Sequence, residues 1–122
     1  MTNEWDLLGT GQATAFVGAV EGRLYELHSV AEVLDLLGTI RESADPAIAL
    51  VHDAGGTSVG PLLPSLAGVI STRGSLGAHI ALLSKEFGCA CIMAAKLPEQ
   101  PHTGLWVRVE PNGEIWRRRG DR

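Results

Sequence analysis

The residues best placed to do chemistry in this chain lie in one short stretch, Thr72-Arg73-Gly74-Ser75-Leu76-Gly77-Ala78-His79. A glycine-rich turn there delivers a histidine into the first turn of an apolar-periodic segment. The first N–H groups of a helix lack intrahelical acceptors and sit at the positive end of its dipole, which favours an anion such as phosphate. Ser75 is of the residue type that caps such a start. A neutral imidazole is a competent nucleophile. The expected chemistry is therefore a histidine that accepts a phosphoryl group and holds it among N–H donors. A second loop, Asp53 to Pro64, follows another short apolar run. Its Asp53, Gly55, Gly56, Thr57 and Ser58 are expected to open on the same edge, as a possible anion-binding wall.

Competing chemistries fit less well. His28, His52, His79 and His102 are scattered without ligand spacing, and Cys89-x-Cys91 lacks a second pair, so no metal site is expected. The Gly55–Gly56 loop has no lysine near it and is not a Walker loop. Gly56-Thr57-Ser58-Val59-Gly60 matches G-x-S-x-G, but that elbow needs a strand running into the serine and a helix leaving it. Here Pro61 and Pro64 follow, and between Ser58 and His102 only Glu86 or Glu99 could serve as the acid. A hydrolase is not expected. Cys89 and Cys91 are expected on opposite faces of a strand, as two buried small hydrophobes that do not pair. Of the other histidines, His28 precedes a helix cap, His102 lies in a Pro-flanked loop, and His52 ends a strand beside the Asp53 loop. His52 is the best placed of the three, because loops after strands host sites in α/β folds.

The elements that must position these groups follow from periodicity and breakers. Residues 15–27 read as strand, turn at Glu21–Gly22, strand. Ser29 and Glu32 have capping-box spacing, and Val30, Val33, Leu34, Leu37 and Ile40 make one helical stripe that must end before Pro46. Residues 47–52 and 67–71 are short apolar runs and predict buried strands. A helix is predicted over 77–87 with Gly88 as its stop. Residues 89–95 predict a further buried strand. Residues 105–109 and 114–116 predict a hairpin about Pro111-Asn112-Gly113. The order β-β-α-β-β-α-β-β-β, with no internal repeat, predicts one α/β or α+β layered domain over residues 1–122, with its core at about 15–110.

Composition narrows the function classes. The chain has 122 residues, 45 % hydrophobic and 20 % charged, so it is neither disordered nor multidomain. Glycine is in surplus at 15 residues, about 12 %, where about 7 % is usual. No apolar run approaches the roughly 18 residues of a membrane span, and the acidic Met1–Asp6 segment is unlike a signal peptide. A cytoplasmic chain with no membrane partner is expected. The net charge of −4 hides an asymmetry: residues 1–53 carry −7 and residues 54–122 carry +3. Four arginines fall in residues 117–122, which read as a solvated, flexible basic tail. A nucleic-acid binder should interleave its basic face with aromatics, so nucleic acid is not expected.

From about Pro46 to Ala94 the chain resembles the mobile, phosphohistidine-carrying domain of the phosphoenolpyruvate-utilising enzymes. These include pyruvate phosphate dikinase, phosphoenolpyruvate synthase and enzyme I of the sugar phosphotransferase system. The matching residues are Leu66-Ala67-Gly68-Val69-Ile70-Ser71-Thr72-Arg73-Gly74 and His79-Ile80-Ala81-Leu82-Leu83-Ser84-Lys85-Glu86-Phe87-Gly88. Gly18-Ala19-Val20-Glu21-Gly22-Arg23-Leu24 also resembles the start of that domain. The resemblance implies a swivelling β/β/α fold with His79 phosphorylated on Nε2. The loop Thr72 to Ala78 would then shape its approach to the donor. The chain departs from the pattern at Ser75, Gly77 and Ala78, at Ser84-Lys85 and at Cys89-Ala90. The resemblance further implies a free-standing carrier in a split system, as in phenylphosphate synthase, with no cofactor on this chain. ATP and Mg²⁺ would sit on an ATP-grasp partner subunit, and an acceptor-binding subunit or a small organic acceptor would take the phosphoryl group. The alternative is a non-catalytic binding or regulatory module that retains the fold, or an anion-binding domain using the two loops.

Overall fold

The computed structural model describes residues 4–14, 16–42, 44–52, 60–74, 76 and 78–119. Seven strands close into one barrel. They are β1 (Trp5–Ala13), β2 (Val20–Glu26), β3 (Ala47–Val51), β4 (Gly68–Ser71), β5 (Ala90–Lys96), β6 (Trp106–Val109) and β7 (Glu114–Arg118). The helices are α1 (Val30–Glu42) and α2 (His79–Glu86), and a 3₁₀ helix covers Gly60–Ser65. The order around the barrel is β1-β5-β4-β3-β2-β6-β7, with β7 returning to β1. Strands β2 to β5 run parallel to one another, and every other pairing is antiparallel. The fold is α/β, as the periodicity predicts, but the sheet closes on itself instead of forming open layers. Among the described residues, no helix is long and apolar enough to cross a membrane.

Period-2 alternation divides the core in two. Leu24, Ile48, Leu50, Ile70, Ile92, Val107, Val109 and Ile115 fill the barrel interior. Ala47, Ala49, Val51, Val69, Cys91 and Met93 point outward and are covered by Val33 and Leu36 of α1, Leu62 and Leu63 of the 3₁₀ helix, and Ile80 and Ala81 of α2. All five residues of β3 are therefore buried, as parallel strands covered on both faces require. Cys89 and Cys91 do not face opposite ways. At i and i+2 they share the outer cluster, both free and buried. Burial pushes their thiols up, to about 12 and about 11, so both stay protonated.

Three expectations need correction. β1 lies where no strand was expected, because WDLLGTGQA carries little apolar periodicity. Its glycines serve barrel closure instead. A Cβ at Gly9 would lie 2.2 Å from the Lys96 carbonyl oxygen, and one at Gly11 would lie 2.7 Å from that of Met93. The β1–β5 register slips by one residue beside Gly11, where Ala94 adopts a left-handed conformation (φ 53°). Glu21–Gly22 is not a turn but mid-strand in β2, paired with Arg108 and Val107. Arg117 and Arg118 are not tail but β7, paired with Asp6 and Trp5. Arg119 Nη2 donates to Asp6 Oδ1 at 2.7 Å, so N-terminal acid meets C-terminal base. Residues 120–122 lie outside the described residues.

Candidate functional site

α2 begins at His79 with Ala78 at its N-cap, not Ser75. Ala78 has no side-chain oxygen to offer the first N–H groups and makes no side-chain cap bond. Ile80, Ala81 and Ser84 face the core, and the Ser84 hydroxyl donates to the Ile80 carbonyl at 2.7 Å. The core-facing side chains fix the roll of the helix and leave His79 exposed. At the far end Cys89 N donates to Ser84 O, and Gly88 N donates to Lys85 O, with Gly88 at φ 69°. This is the glycine stop the sequence predicts.

The loop before α2 is held at its start. The Thr72 amide donates to the Val51 carbonyl at 3.1 Å, so it is anchored to the end of β3. The Ser71 hydroxyl donates to the Arg73 carbonyl, and the Arg73 amide donates back to that hydroxyl. Gly74 turns the chain at φ 89°. Arg73, Gly74 and Leu76 are exposed, and Ala78 packs against the outer core. Ser75 and Gly77 lie outside the described residues, as do Asp53, Gly55, Gly56, Thr57 and Ser58.

A second group of side chains stands at the carboxyl ends of β2, β3 and β4. Glu26 follows the inward-facing Leu24 by two residues, His52 follows Ile48 and Leu50, and Thr72 follows Ile70. Parity therefore directs all three over the barrel mouth. Glu26 Oε2 lies 2.7 Å from His52 Nε2 and 3.2 Å from His28 Nε2, and it accepts from Gln100 Nε2 at 2.6 Å. His52 Nδ1 lies 3.0 Å from Thr72 Oγ1. The two imidazoles stack with centroids 5.1 Å apart and planes 17° apart. With Arg73, these residues line an open cleft of about 530 Å³, and His79 is not among its lining residues. Partial burial pushes the Glu26 carboxyl up. Hydrogen bonds from His52 and Gln100, with His28 close by, outweigh that and hold it below the ordinary glutamate range.

Of the residues the sequence singles out, Thr72, Arg73 and His52 line this cleft and His79 does not. Sequence reasoning missed Glu26, His28 and Gln100. Strand parity was a readable signal for Glu26, but its adjacency to His52 depends on β2 lying beside β3. His102 is exposed and is not among the residues that line the cleft.

The family model of the PEP-utilising enzyme mobile domain matches residues 44–112, a range that contains β3 to β6, α2 and His79. No curated protein matches the chain.

Proposed function

The chain belongs to the PEP-utilising enzyme mobile-domain family, and from that membership we propose that it is a phosphoryl carrier whose acceptor is His79. The observation that carries this reading is the exposed imidazole at the first residue of α2, inside the matched region. The neutral ring nitrogen attacks the donor phosphorus, and the bond from phosphorus to the donor's leaving oxygen breaks. The acceptor's oxygen then attacks the same phosphorus, and the N–P bond breaks. One difficult transfer becomes two easier ones. The helix start sets its N–H groups and positive dipole end beside the bound phosphoryl oxygens. The donor is ATP with Mg²⁺ on an ATP-grasp partner, since charge neutralisation in phosphoryl transfer rests on the metal. The acceptor is a small organic molecule or a group on another subunit.

The alternative reading, a binding module without catalysis, draws on the cap. Ala78 supplies no hydroxyl to the phosphoryl group. One experiment separates the two. The chain is incubated with ³²P-labelled ATP and an extract of its native host, which supplies the partner. The carrier reading predicts acid-labile, base-stable label on the wild-type chain and none on His79→Ala. Equal label on both chains would overturn it. Partner capture with no label on the wild-type chain would favour the binding module.

A further inference from the structure

We propose that Glu26, His28 and His52 form a binding site for a divalent transition-metal ion of the zinc type at the barrel mouth, separate from His79. Among the described residues, these three offer ligand atoms that all lie within 4.8 Å of one another. Two imidazoles and one carboxylate suit zinc and its first-row neighbours, whereas magnesium and calcium prefer oxygen alone.

Both spacings to Glu26 are close to those of a bound ion. His28 must turn out of its stack on His52 so that both rings aim Nε2 at one point, a movement its largely exposed side chain allows. Two ligand bonds of about 2.0–2.1 Å at a tetrahedral angle put ligand atoms about 3.3 Å apart. His28 Nε2 is already 3.2 Å from Glu26 Oε2. His52 Nε2, at 2.7 Å, must open by roughly 0.6 Å to meet that ~3.3 Å spacing. The supporting shell is in place. With Nε2 on the metal, His52 carries its proton on Nδ1 and donates it to Thr72 Oγ1, 3.0 Å away. Such a partner fixes the tautomer and ring orientation of a ligating histidine. Gln100 holds the carboxylate. The backbone sets the ligands as well: the His28 amide donates to Glu32 of α1, and the Glu26 amide donates to the Thr103 hydroxyl at 2.9 Å. The fourth position opens on the cleft, whose wall includes Arg73, and would take water or a small anion.

The sequence hides this site because Glu26 and His28 lie far along the chain from His52, and the supporting Thr72 lies farther still. Only the parallel order β2-β3-β4 brings Glu26, His52 and the supporting Thr72 into one row.

The test is titration calorimetry of the full chain with ZnCl₂ and, separately, MgCl₂. The expected result is saturable one-to-one binding of Zn²⁺ and none of Mg²⁺. His28→Ala, at a largely exposed side chain, and the near-isosteric Glu26→Gln should each weaken Zn²⁺ binding by tenfold or more. Thr72→Val, which removes only the supporting hydroxyl, should weaken it by about 10–100-fold. His102→Ala, outside the ligand set, should leave it unchanged. Absence of saturable Zn²⁺ binding would overturn the proposal. So would affinity that survives both His28→Ala and Glu26→Gln, or that falls only with His102→Ala. The readout is independent of phosphoryl transfer, so neither failure implies the other.

Discussion

The two halves of the barrel wall solve the same burial problem differently. β3, β4 and β5 are covered outside by helices and inside by the barrel core, so their residues are almost uniformly apolar. β6, β7 and β1 leave their outer face to water. That face interleaves aromatics with cations: Arg23 and Arg118 lie 5.1 and 5.0 Å from the Trp106 ring centroid, and Arg108 and Arg118 lie 5.8 Å from that of Trp5. Acids answer the cations. Glu21 Oε1 accepts from Trp106 Nε1 at 2.8 Å and lies 3.9 Å from Arg118. Arg108 Nε lies 2.7 Å from Glu110, an ion pair by distance in which Nε makes no hydrogen bond. Along β3, β4 and β5 the only polar side chains are Ser71 and Lys96, each at a strand end. Polar side chains gather instead at the strand ends: Glu26 closes β2, His52 follows β3 and Thr72 follows β4.

Perturbing each half should give effects of different size. Leu50→Ala, at a fully buried position of β3, should destabilise the protein by about 2–5 kcal/mol in urea denaturation. Gly113→Ala attacks the antiparallel half where the barrel closes. Its φ is +95°, and an added Cβ would lie 2.1 Å from the Gly11 carbonyl oxygen, so a loss of more than about 1 kcal/mol is expected. Ala94→Gly relieves a left-handed alanine at the register slip and should be neutral or stabilising by up to about 1 kcal/mol. Arg118→Ala, on the exposed Trp–Arg face, should cost only about 0.5–1 kcal/mol. If Arg118→Ala matched Leu50→Ala, the contrast between the halves would fail.

The smallest effect is electrostatic. The hydrogen bond and charge of Arg119, with Arg117 nearby, hold the Asp6 carboxyl below its ordinary value of 3.8, against a weaker upward push from burial. A depressed folded-state pKa means that its contribution is present above the ordinary value and is lost as pH falls through the folded one. The carboxyl ¹³C shift of Asp6 should therefore titrate below 3.8, and Arg119→Ala should raise that midpoint.

How much of this was legible depends on range. Breakers and local periodicity point to α1, β3, β4, α2, β5, the β6–β7 hairpin and the glycine stop at Gly88, but they split β2 into two strands and pass over β1. Ser29 caps α1 as its spacing predicts, accepting from the Glu32 amide at 3.2 Å. What failed was set by distant partners. β1 looks unlike a strand because Gly9 and Gly11 answer to the close approach of β5. Gly22 looks like a turn but is small because a Cβ there would lie 2.8 Å from the Pro46 carbonyl oxygen. The terminal arginines look solvated until Asp6 and the tryptophans are brought to them. His79 can be singled out from the sequence because its pattern is contiguous. Glu26 and His28 cannot, because their partner His52 comes from another strand.

The most direct test of the central claim is intact mass and ³²P analysis of the chain after incubation with labelled ATP and native-host extract. The account predicts one acid-labile, base-stable phosphoryl group on the wild-type chain and none on His79→Ala. Label that persists in His79→Ala would contradict it.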